Sequence, residues 1–215
     1  MHYGLTIDLN FLGFSLLCVI SFLIYFAIMK IKKVKFNHPN IKIIIPVFIF
    51  YLTCVLYFVW IPFDIIPKNV RYELMTIINN EPFTLNQILN INLVPLRSIL
   101  NIINSSILNQ SHWYFTIRAI IGNIMLLFPL SIFIQLLSKR NLSTKQMLLL
   151  VMLVSISIEL SQLVINLTTG WPNRVICIDD VILNTLGGMS GYVIYKKYDN
   201  FFIRIFKIIH KFVYN

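Results

Sequence analysis

The chain has 215 residues, 58% of them hydrophobic and 12% charged, with a formal net charge of +10. A soluble domain is about 45–50% apolar and about 25% charged, so one small aqueous core cannot bury this excess and lipid must solvate much of it. The positive charge gathers on short loops, as membrane orientation requires, and is not read as a nucleic-acid surface.

The expected architecture is an all-α integral membrane protein. It forms a single membrane domain over 1–215 with about five transmembrane helices. A span needs about 20 mostly apolar residues. Residues 11–29 form an uncharged run without a basic start or a cleavage site, and are read as a retained helix rather than a signal peptide. The second run, 43–61, has Pro46 in its first turn, where proline is tolerated. The third, 118–137, is interrupted by Asn123 and Pro129, and the fourth, 147–166, contains Glu159. The fifth, 179–195, is shorter and rich in small residues.

Loop charge then sets the orientation. Lys30, Lys32, Lys33, Lys35 and Lys42 precede the second span, and Lys139, Arg140 and Lys145 join the third to the fourth. Lys196, Lys197, Arg204, Lys207 and Lys211 follow the fifth. These thirteen of the 18 basic residues share one side with a single acid, Asp199. That side is cytoplasmic, so the N-terminus is outside and the C-terminus is in the cytoplasm.

The outer loop, 62–117, is expected to be partly helical and to pack over the bundle's outer mouth. Thr84 and Gln87 have capping-box spacing, and Pro95 can open a helix whose Leu96, Ile99, Leu100 and Ile103 share a face. Its acids Asp64, Glu73 and Glu81 read as solvated charges. The C-terminal tail is an amphipathic helix. Arg204, Lys207 and Lys211 fall among Phe201, Phe202, Ile205, Phe206, Ile208 and Ile209, a pattern that suits an anionic inner leaflet or simply a solubilising tail.

Chemistry is sought where polar groups enter spans, because a charge at a helix centre costs about 2.5–3.5 kcal/mol on insertion scales. Glu159 lies roughly 10 Å inside the outer end of the fourth span. Ser155, Glu159, Gln162 and Asn166 make a continuous stripe on one helical face. Asp180, Asn184, Gly187 and Gly191 repeat that phase in the fifth span, and Gly187 and Gly191 form a GxxxG pair. The short outer loop makes these two spans antiparallel neighbours, so the stripes are expected to meet, with the glycine pair at their contact. Arg118 and Arg174 supply counter-charge, while Asn123 lies about 140° from the Arg118 face of an ideal helix.

Cysteine and histidine add no site. Cys18 and Cys54 sit in apolar runs as small hydrophobes, and Cys177 is expected outside as a free thiol. His2, His38, His112 and His210 lack zinc spacing, and neither a metal nor a cofactor is implied.

The runs R-A-I-I-G-N-I-M-L-L-F-P-L, I-E-L-S-Q and N-R-V-I-C-I-D-D-V-I-L-N-T-L-G-G-M-S-G-Y resemble the VanZ-like family of bacterial membrane proteins. The resemblance covers about 92–195 and is most specific from Arg174 to Gly191. It places the family's polar signature on Arg118, Asn123, Pro129, Glu159, Gln162, Arg174, Asp179, Asp180 and Asn184. Cys177 departs from it, standing where relatives commonly carry an acid. The resemblance implies a role at the bacterial cell envelope in tolerance to glycopeptides, teicoplanin above vancomycin.

Three functions stay open on the residues. The first is an outer-leaflet ligand site formed by Arg118, Asn123, Glu159, Gln162, Arg174, Asp179, Asp180 and Asn184. Its expected partners are membrane lipids and a lipid-linked cell-wall precursor or lipoglycopeptide. The second is a membrane enzyme acting on a lipid headgroup, with Glu159 or Asp180 as general base. The third is a buried ion-pair network that locks the helices. A transporter ranks below these, since no internal repeat is present.

Overall fold

The computed structural model describes residues 5–7, 11–32, 41–61, 63–66, 84–108, 113–138 and 142–214. In chain order the elements are β1 (Leu5–Ile7), α1 (Phe11–Lys32), α2 (Ile41–Trp60), β2 (Phe63–Ile65), α3 (Leu85–Leu89), β3 (Ile91–Asn92), α4 (Arg97–Leu108), α5 (Trp113–Leu137), α6 (Thr144–Thr169), β4 (Ile176–Cys177), α7 (Ile178–Lys197) and α8 (Asp199–Tyr214). The structure is predominantly helical. Thr116–Leu137 and Thr144–Thr169 are long and apolar enough to cross a membrane, and α1 and α2 contribute the shorter apolar stretches Gly13–Leu23 and Ile44–Trp60.

The expected spans fall on the helices α1, α2, α5, α6 and α7, and local chemistry sets the ends of α6 and α7. Ser143 opens α6 with a capping box in which its Oγ accepts from Gln146 N–H and its own N–H donates to Gln146 Oε1 at 3.0 Å. Gly170, at φ 60°, closes α6 in the left-handed conformation, and its N–H donates to the Asn166 carbonyl. In α7 Asp179 and Asp180 occupy the first turn and Lys196 and Lys197 the last, each sign at the dipole end that favours it. Helix α2 begins at Ile41, so Pro46 stands inside the helix rather than in its first turn.

Side-chain pairings give the relative directions. Phe14 of α1 meets Tyr57 of α2, and Thr53 of α2 donates to Ser21 of α1, so these two run antiparallel. Phe48 packs on Phe133, and Tyr51 donates to the Leu126 carbonyl, which makes α2 antiparallel to α5. Asn184 donates to Ser155 at 3.1 Å while Gly188 faces Val151, so α6 and α7 are antiparallel, as the short loop requires. Asn123 pairs with Asp180 and Ser131 with Gly188, which makes α5 and α7 parallel. The core lies among Leu127, Leu130, Met147, Val151 and Tyr192.

The glycine pair serves a different contact from the one expected. A Cβ on Gly187 would overlap the Ile124 carbonyl, and one on Gly191 the Phe128 carbonyl, so the GxxxG face is pressed against α5. Gly188, one residue and about 100° round the helix, faces α6 at Val151. Loop length identifies α6 as a neighbour of α7, but does not say which face of α7 it takes.

The outer segment is partly helical. Gln87 Oε1 accepts from Thr84 N–H at 2.8 Å at the start of α3. Helix α4 starts at Arg97, two residues after Pro95, and packs against α5 and α7. Two small strand pairs were not expected. Leu5–Ile7 lies antiparallel to Phe63–Ile65, because antiparallel α1 and α2 bring those flanking segments together. Ile91–Asn92 pairs in parallel with Ile176–Cys177. In the tail, Phe202 stacks on Tyr195 of α7 at 5.8 Å while Phe201 and Arg204 are exposed. The expectations for Glu73, Glu81, Lys33, Lys35, Lys139 and Arg140 fall outside the described residues, as do those for His2, His38 and His112.

Candidate functional site

The site is built on the segment between α6 and α7. Asn166, fully buried near the end of α6, holds it by both backbone groups of Arg174. Its Oδ1 accepts from Arg174 N–H at 3.0 Å, and its Nδ2 donates to the Arg174 carbonyl at 2.7 Å. Asn90, in the left-handed conformation at φ 48°, donates to that same carbonyl, and its own carbonyl accepts from Ile176 N–H. Three residues on, Glu159 Oε2 accepts from Cys177 N–H at 3.0 Å. Thus Glu159 and Asn166, two turns apart on one face of α6, fix the course of residues 174–177.

These constraints leave a cavity of about 850 Å³ bounded by α2, α5, α6, α7 and the Arg174 segment. Arg118, Asn123, Glu159, Gln162, Arg174, Asp180 and Asn184 all line it. Asn123 Nδ2 donates to Asp180 Oδ1 at 2.6 Å, and Gln162 Nε2 donates to the Val59 carbonyl at 3.3 Å. Arg118 is exposed on its helix, Arg174 half-buried, and Asn184 1% exposed. Desolvation lowers the pKa of the Arg174 guanidinium from its ordinary value. The rest of the lining is largely apolar, with Tyr51, Phe58, Met125, Leu126 and Pro129 among its residues. An enclosure lined by donors and acceptors together with hydrocarbon matches an amphiphile.

Asp179 is the candidate that this cavity does not include. Its carboxylate turns to the start of α4, accepting from Leu96 N–H through Oδ1 and from Ser98 and Ile99 N–H through Oδ2 at 3.0 and 3.3 Å. It therefore caps α4 from another element, satisfying amides that the helix leaves unpaired. The same contact explains why α4 begins after Leu96, which is held at φ 64°, a strained conformation for a non-glycine residue. Neighbouring Cys177 is a free thiol but is buried, 3% exposed, and its Sγ donates to Ser98 Oγ at 3.1 Å. Burial raises its pKa, with the Ser98 hydrogen bond opposing the shift. The expected free thiol is present, and β3–β4 pairing and α4 cover it.

The apolar wall supplied by Tyr51, Cys54, Val55, Phe58 and Val59 of α2 is what sequence reasoning missed. Nothing in that generic apolar run separates cavity-lining from lipid-facing positions. Among the described residues no group of three or more His, Cys, Asp or Glu is arranged to hold a metal ion.

The sequence matches the VanZ/LLP1 family over residues 48–204. The chain belongs to the VanZ/LLP1 family. The matched region begins inside α2 and ends inside α8, so it contains every residue that lines the cavity. Membership and the apolar helices together make this VanZ-like chain a membrane protein. Neither the curated proteins nor the solved structures contain a match to it.

Proposed function

We propose that this VanZ-like protein is a five-span protein of the bacterial cytoplasmic membrane, and that its polar cavity opens at the outer leaflet to bind a lipid-linked or amphiphilic ligand. Binding there contributes to tolerance of teicoplanin or related envelope-directed antibiotics. The carrying observation is the convergence of Arg118, Asn123, Glu159, Gln162, Arg174, Asp180 and Asn184 on one cavity with an apolar wall. Two arginines suit an anionic headgroup, and two carboxylates orient them or take a cationic group.

The topology rests on two supports. Alternating directions of α1, α2, α5, α6 and α7 agree with five successive crossings. Lysine and arginine density on the 30–42, 138–146 and 196–211 segments assigns the cytoplasmic side and leaves the N-terminus outside. On that orientation the Arg174 segment faces the exterior.

Lipid mass spectrometry of the purified protein tests the reading, with wild type beside Glu159→Gln. A specific co-purifying amphiphile in wild type, lost in the variant, is expected. Identical lipid content in both would leave the cluster as a structural network.

A further inference from the structure

A second hollow adjoins the polar cavity. It has a volume of about 570 Å³ and is open to the exterior between α2 and α6. Its floor extends along α6 from Ser161 to Gln146, about 22 Å at the rise of a helix. Leu149, Leu153 and Val154 line it from α6, and Leu56 and Trp60 line it from α2. Val55, Val59 and Ile158 line both hollows, so the apolar groove abuts the polar cavity. Its length exceeds the roughly 15 Å of one leaflet's hydrocarbon, so an extended acyl chain fits along it.

The polar end has an acceptor that needs a donor. Asn184 is 1% exposed, its Nδ2 is engaged by Ser155, and its Oδ1 has no hydrogen-bond partner among the described residues. Asp180 and Glu159 place carboxylate oxygens in the same cavity, while Arg118 and Arg174 bring cationic donors to it. A ligand that matches this lining carries an anionic group for the arginines and a hydrogen-bond donor for the orphan carbonyl.

We propose that the two hollows form one site for a phospholipid whose headgroup ends in a hydrogen-bond donor. The phosphate lies against Arg118 and Arg174, the terminal amine or hydroxyl donates to Asn184 Oδ1, and one acyl chain follows the α2–α6 groove. This rests on the ligand-binding reading above and adds the class of ligand and the path of its chain.

Native mass spectrometry of the full chain in detergent tests this, with four probes added singly. These are dioleoyl phosphatidylglycerol, dioleoyl phosphatidylethanolamine, dioleoyl phosphatidylcholine, whose headgroup has no donor, and dihexanoyl phosphatidylglycerol. The two dioleoyl lipids with donors should bind roughly fivefold tighter than phosphatidylcholine, the effect of about one hydrogen bond. Dihexanoyl phosphatidylglycerol should bind roughly tenfold or more weakly than its dioleoyl counterpart, because it buries less hydrocarbon.

Ser157→Trp and Leu153→Trp, both at exposed positions on the groove, should each reduce dioleoyl binding to the dihexanoyl level. Leu160→Trp, exposed on the same helix but outside both hollows, should leave it unchanged. Equal binding of phosphatidylcholine overturns the headgroup assignment. Full dioleoyl binding in both groove variants overturns the acyl path, and if Arg174→Gln still loses binding, the ligand-binding reading survives that failure. No binding of any probe, with lipid content unchanged in Glu159→Gln, sinks the ligand-binding reading and this inference together.

Discussion

Asn123 of α5 donates to Asp180 of α7 at 2.6 Å, which ties the start of α7 to a helix that runs parallel to it and is not its neighbour in sequence. Gly187 and Gly191 continue that contact about two and three turns further in, where α7 lies against the backbone of α5. The hydrogen bond joins a neutral donor to a carboxylate, a class worth about 1.5–3 kcal/mol when formed. Asn123→Ala should therefore lower resistance to unfolding in SDS by about that amount. Asn123→Ala/Asp180→Ala should cost less than the sum of the single changes, since the interaction is shared. Strict additivity would mean that the pair is not coupled.

The glycine contacts separate by what each faces. Gly187→Ala should already cut folded yield several-fold, because the new Cβ meets the Ile124 carbonyl, which cannot move without moving α5. Gly188→Ala meets only Val151 side-chain carbons, so Val151→Ala should restore much of its yield. Size-exclusion profiles in detergent report both, and an equal response of the two glycines to Val151→Ala would contradict these packing assignments.

The two cases show where the sequence was informative. Composition and apolar run length locate the helices α1, α2, α5, α6 and α7, because a helix satisfies the backbone of an apolar run internally whatever its neighbours. Helical phase brings Ser155 to Asn184 and Glu159 to the α6–α7 segment, since a short loop dictates antiparallel contact. Phase fails for Gly187, which meets α5, because which face meets which helix depends on packing across the whole bundle. The 140° between Arg118 and Asn123 likewise proves no obstacle. Both line the cavity, which is wide enough to reach both sides of α5. Asp179 was placed with Asp180 in one candidate ligand site, yet adjacent helical residues point about 100° apart and meet different partners.

Asp179 should accordingly behave as a fold residue. Asp179→Ala leaves the part-buried Leu96, Ser98 and Ile99 amides without their acceptor and should cost about 1–3 kcal/mol. Faster amide hydrogen exchange at the start of α4 is the direct readout. The same loosening should expose Cys177, whose raised pKa and burial keep the folded thiol unreactive to maleimide at neutral pH. Rapid labelling of Cys177 in the unmodified fold would contradict its buried placement.

The proposed topology is tested independently of the cavity. Reporter fusions after Lys35 and Lys145 should read cytoplasmic, and fusions after Asn104 and Thr169 should read external, following the asymmetry of basic residues. A cytoplasmic signal at Asn104 would remove the five-span arrangement and, with it, the outer-leaflet position of the cavity.

The cavity's charged residues decide between a ligand site and a structural network. Glu159, Arg174 and Asp180 come from α6, the following segment and α7, yet line one space. Glu159→Gln keeps an oxygen that can accept from Cys177 N–H, and Asp180→Asn keeps one for Asn123, so packing should be largely preserved. Arg174 is held in place through its backbone by Asn166 and Asn90, so Arg174→Gln should leave the segment's course intact. On the site reading, each variant accumulates near the wild-type level and loses teicoplanin tolerance in a minimum-inhibitory-concentration assay. A structural ion-pair network behaves differently, because removing one charge strands its partner at a cost of about 3–5 kcal/mol. Yield would then fall with tolerance in each single variant, and Glu159→Gln/Arg174→Gln would recover part of it. Recovery of yield in that double variant would displace the ligand site. Full tolerance in all three single variants would remove these charges from function altogether.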